Sequence, residues 1–104
     1  MDRGEVWWAD LPRPVGRRPV LIVTRSAAVA VRNQVVVAQV SRTAHGLPCE
    51  VELTHAEGMP RDSFANCDVL LIVPKPRLTR RITVVSAAKM RDVNDALKFA
   101  MGIP

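Results

Sequence analysis

The stretch GRRPVLIVT, Gly16 to Thr24, sets two arginines and a proline in front of an unbroken apolar run. The run after Pro19 has the length and β-branched content of a strand buried on both faces. Pro19 fixes its own φ and withholds a backbone donor, which suits the start of a strand. Two permanent charges, Arg17 and Arg18, therefore stand at the mouth of a rigid, buried element. That placement adds nothing to packing and suits the holding of an anion.

Working outward, GEVWWADL (4–11) alternates loosely and is rich in β-formers, so it reads as a first strand, ended by Pro12 and Pro14. RPVLIVT (18–24) is the second. RSAAVAVRN (25–33) is a turn or short helix. QVVVAQVSR (34–42) is a third strand, again buried, and TAHGLP (43–48) is a turn. CEVELT (49–54) alternates cleanly as a half-exposed fourth strand. HAEGMPRD (55–62) is a loop, and SFANCDVLLIVP (63–74) is a fifth strand with a bend midway. KPRLTRR (75–81) reads as a basic connector and ITVV (82–85) as a last strand. SAAKMRDVNDALKFAMG (86–102) is a helix, with Ser86 as N-cap and Gly102 as its stop. Met90, Val93, Leu97 and Met101 fall on one face, and Arg91 and Asp95 pair four apart on another. Short strands, short loops and a closing helix predict a mainly β, small curled barrel forming one domain over 1–104.

Composition narrows the function. The chain has 104 residues, 48% apolar, and a net charge of +5 from 15 Lys and Arg against 10 Asp and Glu. Arginine outnumbers lysine twelve to three, and its planar fork holds phosphate in pairs of hydrogen bonds. Nucleic acid is the first partner class this suggests; a GC-rich genome, favouring arginine codons, gives the same composition. No run nears the ~20 apolar residues that span a bilayer, and MDRGEVWW lacks a signal peptide's apolar stretch. A cytoplasmic protein without membrane contact is expected, with Cys49 and Cys67 reduced. His45, Cys49, His55 and Cys67 match no zinc-site spacing, so neither metal nor cofactor is expected.

Four blocks, RGEVWWADL, RRPVLIVTR, PRDSFANCD and LTRRITVVSAAKMRDVNDALKFAMG, together resemble the MazF/PemK/Kid family of toxins, in order and from Arg3 to Gly102. The resemblance implies an SH3-like barrel of the CcdB/PemK type that forms homodimers, cuts single-stranded RNA, usually messenger RNA, without metal, and is neutralised by a cognate antitoxin. It makes the arginine before Pro-Val-Leu, Arg18, catalytic. It gives Ser41, at the end of the third strand, a hydrogen bond to the scissile phosphate. Asp68 takes the place of a base, and Arg17, Arg42, Asp62, Phe64 and Asn66 are the candidate RNA contacts around them. The chain departs from the family in three places. Asn66-Cys67-Asp68 stands where some members have Arg-Cys-Asp, which leaves the general acid unassigned. The loop from Pro12 to Arg17 is several residues short. VLLIV follows where Gln-x-Arg-Thr is frequent.

The chemistry stands on its own terms. RNA is cut without metal when its 2′-OH attacks the adjacent phosphorus, given a proton acceptor, a proton donor for the leaving 5′ oxygen, and fixed positive charge at the transition state. A guanidinium supplies charge but keeps its proton, so it acts electrostatically. Other readings compete: Arg18 as a solvated strand-start charge, Ser41 as a turn residue, and Asp68 as an ion-pair partner of Arg18 or Arg42. Trp7 and Trp8 point to opposite faces, so one is expected in the core and the other exposed, at a dimer interface or against a base. Phe64 is open in the same way. Arg77, Arg80 and Arg81 read as a solvated cluster. A gyrase-directed toxin of the same fold and a noncatalytic RNA- or protein-binding barrel are the alternative functions.

Overall fold

The computed structural model describes residues 1–104. Six strands form one antiparallel sheet: β1 (Glu5–Asp10), β2 (Arg17–Ile22), β3 (Gln34–Ser41), β4 (Glu50–Leu53), β5 (Ser63–Pro74) and β6 (Leu78–Val84), in the spatial order β4-β5-β3-β2-β1-β6. The sheet curls into a half-barrel. A one-turn-and-a-half helix α1 (Ser26–Val31) joins β2 to β3, and α2 (Ala87–Met101) closes the chain. No helix is long and apolar enough to cross a membrane.

Both faces of the sheet carry a core. On one, Val6, Leu21, Ala38, Val40, Ala65 and Val93 pack together; on the other, Ala9, Val20, Ile22, Val29, Val37 and Val73 do. Because side chains alternate along a strand, Leu21 feeds one core while Val20 and Ile22 feed the other. This is why β2 and β3 lack polar alternation.

The fifth strand does bend. Its pairing with β3 jumps from Ala38↔Leu70 to Gln39↔Asn66, leaving Cys67, Asp68 and Val69 as a bulged segment. Ser86 caps α2, its Oγ accepting from the Lys89 N–H at 3.1 Å, and Gly102 ends it at φ 68°. The buried stripe is Val93 and Ala96, with Met90 and Leu97 partly covered; Met101, at the end of the same apolar face, is 52% exposed. Arg91 and Asp95 make no ion pair; only Arg81–Glu5 and Lys89–Glu57 do.

One boundary differs substantially from expectation. The stretch read as a basic connector is a 3₁₀ turn at Lys75–Arg77 followed by β6, which begins at Leu78. Leu78 is buried opposite Ala9, and Arg80 and Arg81 stand opposite Trp8 and Trp7. An edge strand tolerates such charges because its outer rim faces water, so basic composition hid a strand.

Candidate functional site

A cleft of about 580 Å³ opens where β2 begins and β3 ends, roofed by the loop between β4 and β5. Trp8, Arg17, Arg18, Ser41, Arg42 and Arg61 line it, and no Asp or Glu does. Arg18 is half-buried, and the three residues after Pro19, Val20 to Ile22, are fully buried. Its backbone is thus anchored by the core while its guanidinium remains reachable. The register Val20↔Gln39, continued two residues, sets Ser41 beside Arg18 on the same face.

Ser41 is engaged locally. Its hydroxyl donates to the Thr43 carbonyl at 3.0 Å and accepts from the Thr43 N–H at 3.3 Å. This is a small turn that fixes Oγ at the strand end. Arg17 lies over the ring of Trp8, 4.5 Å from its centroid.

The roof is built with some care. Thr54 and Glu57 form a reciprocal cap: the Thr54 hydroxyl donates to the Glu57 carboxylate and accepts from the Ala56 N–H at 3.2 Å. The hydrogen bond from Thr54 holds the Glu57 carboxyl below its ordinary range, with the backbone N–H of Thr54 adding to it. Lys89 stands 3.6 Å away. Gly58 turns the chain at φ 92°. Asp62 accepts from the His55 N–H at 2.9 Å, and His55 Nδ1–H donates to the Met59 carbonyl at 3.0 Å. Asp62 is therefore a loop clamp, outside the cleft lining. What it holds in place is Met59, Pro60 and Arg61 over the cleft.

The structure brings Arg17, Arg18, Ser41 and Arg42 together, and leaves the β5 candidates apart. Phe64 is half-buried opposite Ser41, outside the lining. Asn66 uses its Oδ1 to accept from the Asp68 N–H at 2.9 Å across the bulge. Asp68 is exposed, makes no ion pair with Arg18 or Arg42, and sits beside Cys49. Burial raises the Cys49 thiol, and a hydrogen bond with Asp68 raises it further. Cys67 donates its N–H to the Cys49 carbonyl at 2.8 Å, and both cysteines are buried. No three His, Cys, Asp or Glu side chains converge.

Sequence reasoning missed Arg61 and underused Trp8. Arg61 reaches the site only because the loop folds back, and nothing local in GMPRD marks it. Neither tryptophan is core or fully exposed: both are half-buried. Trp7 Nε1–H donates to Glu5 at 2.8 Å, while Trp8 stands at the cleft.

Residues 2–101 match the family described as PemK-like, MazF-like toxin of type II toxin-antitoxin system. The chain is 38% identical over 103 residues to the Probable endoribonuclease MazF2 of Mycobacterium tuberculosis, covering 98% of this chain and 99% of the relative. It is 35% identical over 100 residues to the Probable endoribonuclease MazF5 of the same species, covering 95% and 91%. Among solved structures, an endoribonuclease in complex with its cognate antitoxin from a mycobacterial species superposes with a TM-score of 0.91, at 28% identity, over 100% of this chain and 97% of that one.

Proposed function

This chain belongs to the PemK-like, MazF-like family of type II toxin–antitoxin toxins, and from that premise we propose that its arginine cleft cuts single-stranded RNA, without metal, by attack of the RNA's own 2′-OH. The chain is a MazF-like toxin, an endoribonuclease like the relatives it matches along nearly its whole length. The gyrase-directed and noncatalytic readings are not favoured.

One observation carries the mechanism: four arginines and Ser41 converge on a cleft without a single carboxylate. A polyanion is attracted there, whereas a divalent cation finds no oxygen ligands of the kind it requires. In the proposed step the 2′ oxygen bonds to phosphorus and the P–O5′ bond breaks. The products are a 2′,3′-cyclic phosphate and a 5′-hydroxyl. Arg18 stabilises the charge that builds on the phosphorane-like transition state. Ser41 gives a hydrogen bond to a nonbridging oxygen by swinging its hydroxyl from the Thr43 carbonyl. Arg17 and Arg42 hold flanking phosphates. Phe64 and Asn66 are the base contacts proposed along β5, with Asp62 supporting the loop beside them.

Asp68 is the proposed acceptor of the 2′ proton. Its position in the bulge, outside the cleft lining, makes Asp68→Asn the discriminating variant, since full activity there assigns the proton to another group. The leaving oxygen takes its proton from water, because Asn66 carries no acidic proton and a guanidinium does not release one.

Val69 and Ile72 on β5, 38% and 65% exposed, are proposed to be covered by a second copy of the chain. An acidic segment of a cognate antitoxin is proposed to lie over Arg17 and Arg18, excluding RNA, and the site of action is the cytoplasm, where messenger RNA is met. Incubation of the purified dimer with a long unstructured RNA tests the chemistry. Cleavage is expected to persist in EDTA and to stop at one bond when the nucleotide 5′ to it lacks its 2′-OH. Loss in EDTA with rescue by magnesium, or cleavage of the deoxy bond, overturns it.

A further inference from the structure

We propose that the RNA strand leaves the cleft across Trp8 and enters a second groove, where Arg80 and Arg81 hold its backbone. This rests on the reading of the cleft as the RNA site. The second groove, of about 370 Å³, is lined by His55, Ile82, Arg80 and Arg81, and it shares Trp8, Met59 and Pro60 with the cleft. The two therefore adjoin, with Trp8, Met59 and Pro60 on the boundary between them. No carboxylate lines either one.

The register gives the two grooves their order. Trp8 stands opposite Pro19 on β2 and opposite Arg80 on β6. Arg17 covers the ring from the β2 side. Strands lie ~4.8 Å apart, so a base that reaches the Trp8–Arg17 stack meets Arg17 from the β2 side and has Arg80 on the β6 side. Arg80 is exposed and has no ion-pair partner. Arg81 has a single long contact, 3.9 Å to Glu5, and its side chain is 57% exposed, leaving donors free for a phosphate. Arginines alternating with an aromatic platform suit single-stranded nucleic acid, whose backbone needs cations and whose bases stack.

Charge also sets the direction. On the opposite flank, between β4 and α2, the surface carries Glu50, Glu52, Asp92 and Asp95 against Lys89 alone. A polyanion leaving the cleft is repelled there and drawn toward β6.

The test uses binding, so that it stands apart from cleavage. A short RNA covering only the cleft, and strands extended by several nucleotides at the 5′ or the 3′ end, each carry one 2′-deoxy substitution at the cut. Fluorescence anisotropy against the intact dimer is expected to show tighter binding of one extended strand. Arg80→Ala is expected to weaken that strand roughly tenfold, and to reduce its salt slope by about 0.7, the loss of one phosphate contact. The short strand is expected to bind as before. Equal affinity of all strands for the parent, or equal weakening of short and extended strands by Arg80→Ala, overturns the proposal. So does a loss confined to a polyglutamate peptide used as an acidic-segment probe, which assigns the groove to a protein partner. Cleavage of the unmodified strands, measured in parallel, judges the catalytic reading independently.

Discussion

The guanidinium of Arg17 lies over the indole of Trp8, 4.5 Å from the ring centroid, although the two residues sit on neighbouring strands and are not directly opposed. Trp8 faces Pro19 and Arg17 faces Asp10, so the contact is diagonal. Such a stack at a half-exposed site contributes ~0.5–1 kcal/mol. Its larger consequence is positional. It pins one cation against one aromatic ring, both in the lining of the cleft.

Trp8 should report RNA binding. Only two tryptophans are present, and Trp7 is tied by its Nε1–H to Glu5 at 2.8 Å. A noncleavable RNA strand is expected to quench intrinsic fluorescence in the parent and in Trp7→Phe, and to leave Trp8→Phe nearly unchanged. A signal that follows Trp7 instead would place the RNA elsewhere.

Gly58 holds the cleft's roof. It adopts φ +92°, and a Cβ there would lie 2.3 Å from Thr83 Oγ1, the hydroxyl that donates to the Glu57 carbonyl at 2.8 Å. Gly58→Ala is expected to cost ~1–3 kcal/mol through backbone strain, with the clash added. Adding Thr83→Ala removes the Oγ1 clash but leaves the residue 83 Cβ 2.9 Å from the new methyl, and the backbone strain with it, so thermal denaturation should show only partial recovery. A single variant as stable as the parent refutes this account of the loop.

The cysteines should be chemically silent in the folded protein. Burial, reinforced by its neighbour Cys49, pushes the Cys67 thiol up to about 11, and burial raises Cys49 also. At pH 8 both are neutral thiols with little access, and the thiolate is the reactive form. A thiol-specific disulfide reagent is expected to react slowly with native protein and with both residues once denaturant is added. Fast stoichiometric labelling of native protein would contradict the packing.

Much of the architecture could be read from local pattern. The caps Ser86 and Gly102 bracket α2, and apolar runs mark β2 and β3, because these signals lie within one element. The strand β6 was obscured by Arg80 and Arg81, which satisfy an edge strand's need for charge yet resemble a connector. At the site, Arg17, Arg18, Ser41 and Arg42 flank a strand start and a strand end that the sheet must bring together. Arg61 and Trp8 join them through a loop that folds back and a diagonal stack, and no local pattern encodes either. Asp68 fell outside the cleft because the three-residue bulge in β5 carries it toward Cys49.

The central claim is that Arg18 supplies the transition-state charge, and single-turnover cleavage by Arg18→Ala tests it most directly. The side chain is half-buried at a strand mouth and makes no ion pair, so its truncation should change stability by less than ~1 kcal/mol. Leu21→Ala, three residues on and fully buried, should by contrast cost ~2–5 kcal/mol. The account predicts that folded Arg18→Ala loses about a hundredfold or more in rate, with Arg18→Lys recovering part of it, because an ammonium cannot make the paired contact. Cleavage by folded Arg18→Ala at the parent's rate would contradict it.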